Sequence, residues 1–550
     1  MAGRVDRDRA ALTAGDPNRL PRWLVPALAA VPAAGLALFY LWPLATLLAR
    51  VLKPASVGDA FDTPGLGRVL WFTLWQAVVS TGLTLLAGFA PAYVLARFRF
   101  PGRQAVLALV TVPFMLPTVV VGAAFLALLP SSWHGTAGAV ILAHVFFNIA
   151  VVVRLVGAMW MVLPHDLTGA ARTLGASPGQ VLRFVVLPLL RPAIWAAATV
   201  VFLFTFTSFG VVKLLGGAAN PTIEVEIARR ATQLGDVDGA AVLSVLQLTV
   251  LAVVVWWSAR WQRRAAVKLP GTGPARSVRT RGERRLVAVV VAATALAMAA
   301  PVVVLAARSV RLGGRWSLTA WRTLGSAEIR PGISLGVDPL ASLGTSLRFA
   351  AVATVVSLVS GGLAAHSIAA ARRHGKLLDV GMMLPLGTSA VTIGLGMLIT
   401  FDTAPFDWRA RWWLVPLGHA LVATPFVVRA VLPGLRAIPS EQAEAAATLG
   451  ASPLRAWVAI DLRRSLRPLM AGAGFAAAIS LGEFGATTFL TRAGRETMPI
   501  AIGRLFGRAG ELPRAQGFAL ATILFAVTAM VITAADRSTQ VGSPPAGRGR

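Results

Sequence analysis

The sequence predicts an all-α polytopic membrane protein of about 12 transmembrane helices, arranged as two parallel six-helix repeats. Three observations carry this expectation. Of the 550 residues 56% are hydrophobic and only 14% charged, with a mean hydropathy of +0.70, whereas a soluble domain carries roughly 25% charged residues. Apolar runs long enough to cross the hydrocarbon core, which takes about 20 residues of helix, recur along the whole chain. Between them one polar segment, Thr-Leu-Gly-Ala-Ser-Pro, occurs twice, at Thr173 to Pro178 and at Thr448 to Pro453, 275 residues apart.

Residues 1–22 carry Arg4, Arg7, Arg9, Arg19 and Arg22 without an apolar run and read as a cytoplasmic tail. Trp23 to Leu48 is too long for the core of a signal peptide and reads as a retained first span. Further spans are expected at 68–96, 105–129, 137–163, 193–215 and 240–258, completing a first repeat over 23–259. The stretch 260–283 is dense in Arg and holds the Pro/Gly interval Leu269 to Pro274, so it reads as a cytoplasmic linker. A second repeat over 284–535 follows, with spans at 284–307, 344–371, 377–400, 411–437, 468–490 and 516–535, and 536–550 forms a second cytoplasmic tail.

A formal net charge of +29 suggests an anionic partner at first sight. The basic residues, however, cluster in short segments between apolar runs, which is the pattern of the positive-inside rule. The partner they imply is the lipid bilayer, and no nucleic acid is expected. Arg97, Arg99, Arg103, Arg172, Arg183 and the linker arginines put both termini and both repeated segments in the cytoplasm, although 308–330 and 492–514 on the other side also contain Arg. Six spans return each repeat to the same side, so the repeats are parallel and not inverted. There is no cysteine, hence no disulfide and no Cys-ligated metal.

The repeat extends beyond the polar segments. His144 and His419, Arg154 and Arg429, Thr222 and Thr497, and Ser208-Phe209-Gly210 and Glu483-Phe484-Gly485 all stand 275 apart, while Pro113 to Gly122 matches Pro385 to Gly394 at 272. In each polar segment small residues make a helix that a partner can approach closely. Gly175 or Gly450 then permits a sharp turn, and Ser-Pro suits the cap and first turn of the next helix. A short helix–turn–helix shown twice on one membrane face is a docking element, with an ordinary capped interhelical loop as its bland alternative.

These residues resemble the EAA signature of bacterial ABC importer permeases: Glu-Ala-Ala, three residues, Gly, nine residues, Ile, one residue, Leu-Pro. Glu444, Ala445, Ala446, Gly450, Ile460 and Leu462 fall on that pattern, with Arg463 in place of the Pro. In the first copy Ala170, Ala171, Gly175, Val185, Leu187 and Pro188 fall on it, with Gly169 at the Glu position. The chain therefore resembles a fused, duplicated permease of the binding-protein-dependent type I family. That resemblance implies the type I transmembrane fold, a place in the bacterial inner (cytoplasmic) membrane, and a coupling role for both segments. It implies two copies of a separate ABC ATPase subunit and an extracytoplasmic solute-binding protein as partners.

No phosphate-binding G-x-x-x-x-G-K-[ST] sequence occurs, so this chain is expected to be a non-catalytic subunit that binds no cofactor, with ATP and Mg held by the partner ATPase. Phe206 to Gln247 is similar to a stretch of the thiamine permeases, and the iron(III) permeases have a comparable run. Leu481 to Thr487 resembles a segment of the sulfate and molybdate permeases. Thiamine is the first expectation for the solute and iron(III) the alternative, ahead of sulfate, molybdate or polyamine.

Pro113, Pro117 and Pro385 interrupt spans three and nine, which is tolerated where neighbours or a water-lined cavity satisfy the freed backbone. These spans are candidates to line the pathway, or are simply kinked. Ser208, Phe209, Glu483 and Phe484 join them, because Glu483 is a carboxylate at membrane depth; its alternative is a hydrogen-bonded helix end or gate contact. Glu224 and Glu226 are expected in an outward loop, as a solvated face or a contact for the binding protein. Asp379, beside Lys376, needs no more than the dipole of its helix start. The six His are scattered, so no metal site is expected, and His144 and His419 suit packing or helix–helix hydrogen bonds. The rival from another class, an ion-coupled secondary transporter, requires inverted repeats or coupling carboxylates.

Overall fold

The computed structural model describes residues 24–52, 58, 65–265, 275–326, 328–330, 333–334, 336–371, 374–402 and 405–540. The expected tail 1–22, the end of the second tail (541–550) and linker positions 266–274 lie outside the described residues. Within them the protein is helical, apart from three two-stranded ribbons.

The chain enters the bundle with α1 (Leu24–Val51) and crosses again with α2 (Leu66–Arg97). The next span is broken, α3 (Arg103–Met115) and α4 (Thr118–Leu128) being bent by 105°. The break falls where the proline rule puts it: Leu116, just before Pro117, takes an extended ψ of 146°, because the proline ring disfavours the helical region for the residue before it. α5 (Ala137–Val162) leads to α6 (His165–Thr173), a turn, and the long α7 (Pro178–Phe206). Two short helices, α8 (Gly210–Leu215) and α9 (Ile223–Arg229), precede α10 (Val237–Ala265).

The second repeat copies this order. α11 (Arg281–Ser309) and α12 (Pro339–Ala370) are followed by a span with a 100° break between α13 (His374–Met383) and α14 (Ala390–Thr400). Then come α15 (Leu414–Arg436), α16 (Ser440–Thr448), the continuous rod α17 (453–482), α18 (Gly485–Leu490), α19 (Met498–Phe506) and α20 (Glu511–Gln540). Among the described residues nine helices are long and apolar enough to span a bilayer, or up to 11 with each bent pair counted as one. The remaining candidate for a crossing is α17, the counterpart of α7, whose first half carries Arg455, Arg463, Arg464 and Arg467.

Two expected spans shift. The segment placed at 193–215 is a helix over Pro178–Phe206, and the one at 468–490 is a rod over 453–482. The apolar stretches beyond them, Gly210–Leu215 and Gly485–Leu490, are separate short helices. Hydropathy follows the apolar run through the break at 207–209, and it discounts first turns made polar by Arg183 or Arg463 although the helix is continuous there. Each rod also carries one widened π turn, at Leu182–Val186 and Trp457–Leu462.

The repeats interlock. α1 packs on α12, α14 and α15 of the other repeat, while α11 packs on α2, α3 and α4 of the first. Tyr40 Oη and Thr388 Oγ1 form a hydrogen bond of 2.5 Å across one crossing, and Arg308 Nε donates to the Ala127 carbonyl at 3.3 Å across the other. Within each repeat α2 meets α5, and α12 meets α15, through a glycine on a valine. A Cβ at Gly88 would lie 2.7 Å from that of Val152, and one at Gly361 would lie 2.8 Å from that of Val427. Small residues allow such close approach where no hydrophobic drive between helices exists. The described end of the linker folds back as a parallel ribbon, Arg276 and Ser277 beside Phe98 and Arg99, with the Arg276 guanidinium 4.9 Å over the Phe98 ring.

Candidate functional site

The two repeated segments form the same elbow. At the end of α6 Leu174 N donates to Ala170 O (3.1 Å) and Ala176 N to Ala171 O (3.0 Å); at the end of α16 Leu449 N donates to Ala445 O (3.1 Å) and Ala451 N to Ala446 O (2.9 Å). These bonds close the last helical turn by reversing the chain through a left-handed residue. Gly175 and Gly450 supply it, with φ of +85° and +79°. The next helix is capped by serine: Ser177 Oγ accepts from Gln180 N at 3.3 Å, and Ser452 Oγ accepts from Arg455 N at 3.3 Å.

The elbow leaves Gly169, Ala170, Glu444 and Ala445 exposed, with Ala171 and Ala446 half-buried. Val185, Leu187, Pro188, Ile460 and Leu462 lie half-buried behind it, in or just after the π turns. At the apex Leu174 and Leu449 are each 88% exposed. One isolated apolar side chain on a surface needs no explanation, but here the same leucine is held open at the same place on both elbows. Sequence reasoning missed these leucines, since an apolar residue before a turn glycine reads as core; their recurrence in both Thr-Leu-Gly copies was the available signal.

A second convergence lies where the repeats meet. Phe209 and Phe484, which start α8 and α18, stand with ring centroids 5.0 Å apart. Pro117, at the start of α4, sits on Gly482, where an added Cβ would lie 3.1 Å from the proline Cα. Gly210 is pressed on Thr118, and Gly485 on Val391, so each short helix is seated on the second arm of a broken span. A cavity of 780 Å³ lies between α3 and α5 of one repeat and α17 and α20 of the other. Met115, Thr111, Phe475, Arg103 and Arg154 are among its lining. Pro113 is buried within α3, and Pro385 borders a different cavity of 300 Å³ between α1 and the second repeat. The structure thus brings together Pro117, Phe209 and Phe484, with Ser208 and Glu483 as the residues preceding the two rings in the chain, and leaves Pro113 and Pro385 aside.

Glu483 has its oxygens engaged. Oε1 accepts from Ala486 N and Oε2 from Thr487 N, each at 2.8 Å, and the Thr487 hydroxyl also donates to Oε2. His419 Nε2 stands 3.4 Å from Oε2, and the same ring bonds Ser480 at 2.7 Å and Thr487 at 2.8 Å. In the first repeat His144 bonds Ser208 at 2.8 Å and reaches Ser80 at 3.4 Å. Both histidines tie a rod end to its neighbours. Among the described residues no group of three or more His, Asp or Glu could hold a metal ion.

Two expectations are corrected. Glu224 and Glu226 are not a solvated face: they are 0% and 4% exposed, because Ile223 and Ile227 fold α9 back into the core. Glu226 pairs with Arg229 at 2.8 Å and with the buried Arg230 at 3.1 Å. Asp379 does not rest on its own helix dipole alone; Arg429 and Arg436, at 3.5 and 3.7 Å, reach it from α15.

Comparison with known proteins gives the following. The thiamine transport system permease protein ThiP of Salmonella typhimurium is 27% identical over 516 residues, covering 89% of this chain and 92% of that protein. The ThiP of Brucella abortus is 29% identical over 536 residues, covering 92% and 95%. A probable ABC transporter permease protein, y4fN of Sinorhizobium fredii, is 26% identical over 568 residues, covering 94% and 93%. A solved bacterial ABC transporter involved in the import of the acidic polysaccharide alginate aligns with a TM-score of 0.38 and 18% identity, over 44% of this chain and 96% of that one. The model of one family matches twice, over residues 84–268 and 357–538, once in each repeat. The chain belongs to the family of binding-protein-dependent transport system inner membrane components.

Proposed function

We propose that this ABC importer permease carries thiamine into the bacterial cytoplasm. The reading is carried by similarity over about nine-tenths of the chain to permeases named for thiamine transport. In this reading the elbows 169–188 and 444–463 are cytoplasmic, each seated in one of two ATPase subunits by Leu174 or Leu449. The ATPase is a separate chain that holds ATP and Mg, and the permease itself catalyses nothing. A loaded binding protein docks at the opposite face. Closure of the ATPase dimer pulls on both elbows, and the rods α7 and α17 transmit that pull to the contact at Phe209 and Phe484. The repeats part on the outer side, solute passes the rings, and hydrolysis resets the contact with the cavity open inward.

A second reading, an anionic solute, is favoured by one observation: the charged side chains lining the 780 Å³ cavity are Arg103 and Arg154. Uptake into proteoliposomes containing this chain, its ATPase and its binding protein separates the readings. Labelled thiamine, Fe(III) and a phosphonate would be offered in parallel, with and without ATP. ATP-dependent accumulation of thiamine alone is expected. Uptake of the phosphonate or of iron in its place would overturn the thiamine assignment, and uptake driven by an ion gradient without the ATPase would overturn the importer mechanism.

A further inference from the structure

We infer that Glu224, with Gln247 and Ser389, recognises the positive charge of an organic cation once the two repeats part; this deepens, and rests on, the thiamine reading. Glu224 lies in the first turn of α9 and is 0% exposed. Its Oε1 accepts from the Gln247 amide of α10, and the Ser389 hydroxyl faces the carboxylate from the opposite repeat. Among the described residues Oε2 has no hydrogen-bond partner, and Oε1 of Gln247 likewise has none. Among the described residues no Lys, Arg or His pairs with this carboxylate. The other carboxylates at this depth differ: Glu226 has two arginines, and Glu483 has two backbone amides and a histidine.

The fold does not call for an acid here. At the 275-residue offset stands Pro499, and α19 forms the matching helix without one. A carboxylate buried at membrane depth without a basic partner is costly and marks a functional position. A cation arriving in another state of the cycle would complete it. Ser389 sits at the break of its span, capping α14 by accepting from Val391 N at 3.1 Å. It belongs to the repeat opposite Glu224, so parting the repeats is what uncovers the carboxylate. Thr222, two residues before Glu224, donates to the Ser208 carbonyl at 3.4 Å, which ties the start of α9 to the residue before Phe209. One carboxylate, one amide and one hydroxyl are too few oxygen ligands for a hard divalent ion, which takes about six or more. The single carboxylate suits instead an organic monocation, whose one charge it balances.

The chain has no cysteine, so Ser389→Cys installs a single thiol beside Glu224. The full transporter, with ATPase and binding protein in proteoliposomes, would be treated with a cationic and an anionic methanethiosulfonate, at rest and in the ATP-trapped state. The expected result is no reaction at rest, faster reaction with the cationic reagent when trapped, slowing by thiamine, and loss of the cationic preference in S389C/E224Q. In parallel E224Q is expected to raise the thiamine KM about tenfold, equivalent to about 1.4 kcal/mol, with a smaller change in kcat, and E224D to recover most of the loss. Equal reaction of both reagents in the trapped state, equal reaction at rest and trapped, or a wild-type KM in E224Q would overturn the inference. Failure of the unsubstituted transporter to move thiamine would remove the substrate reading instead, and the reagent preference would still test the cation site.

Discussion

Replacing Gly175 and Gly450 by alanine tests whether the two elbows are the ATPase contacts. Both glycines hold φ in the left-handed region, at +85° and +79°, and nothing lies within 4 Å of a Cβ built on either. The new methyl meets no neighbour, so the cost is that of the backbone alone, about 1–2 kcal/mol for an L-residue in this region. Both turns are exposed and their flanking helices are anchored elsewhere, so the strain is relieved by refolding the turn and not by unfolding the bundle. One or two kcal/mol shifts such an equilibrium by a factor of about 5–30. The elbows share no partner, so their costs add to about 2–4 kcal/mol in the double variant. Purified permease in detergent, titrated with the ATPase subunit, should bind about tenfold more weakly in each single variant and about a hundredfold in the double. Thermal unfolding of the permease should be unchanged. A double variant that binds the ATPase as the natural chain does would refute the reasoning, and so would one whose binding falls only in step with its melting temperature.

Other expectations follow from the same geometry. Leu174→Ser and Leu449→Ser, at side chains that are 88% exposed, should each weaken ATPase binding by about 1.5–3 kcal/mol, the value of burying a leucine on docking, and leave melting alone; unaltered affinity would put the contact elsewhere. A double-mutant cycle on Phe209→Ala and Phe484→Ala, read by the basal ATPase rate of the assembled transporter, should show a coupling of about 0.5–1.5 kcal/mol with the rate raised. Zero coupling would mean that the pair does not hold the closed contact. Glu483→Ala strands two buried amide donors and should destabilise the protein by about 2–4 kcal/mol in thermal unfolding, with Glu483→Ser, the residue of the first repeat, losing less. Normal melting combined with abolished uptake would make Glu483 a pathway group and not a cap.

The elbows were legible because everything they need is local. A left-handed glycine, a serine cap and a proline at the first helical position are demands of consecutive residues, and their recurrence at one period removed the ambiguity of a single loop. The broken spans were legible for the same reason, since a proline disturbs its own helix. The limits of the rods were not, because the breaks at 207–209 and 483–484 go with the seating of Gly210 on Thr118 and of Gly485 on Val391 respectively, contacts between elements far apart in sequence. Glu224 and Glu226 were misread because the alternation of polar and apolar residues in 221–236 fits a surface loop as well as a buried helix. Only the packing of Ile223 and Ile227 into the core decides between them.

By itself the sequence determined that this is a duplicated membrane bundle, which way its repeats relate, and where the two elbows stand. Composition, period and short-range stereochemistry suffice for those. The tertiary structure decided which helices belong together in space. α1 and α11 each pack on the opposite repeat, so the units of duplication are not the units of packing. It also decided that Phe209 meets Phe484, that Glu483 caps a helix, and that Glu224 is buried with one carboxylate oxygen left without a hydrogen-bond partner among the described residues. Those facts depend on the surfaces of two repeats meeting, and a lipid-facing and a repeat-facing side chain are equally apolar in sequence, so hydropathy cannot tell one from the other.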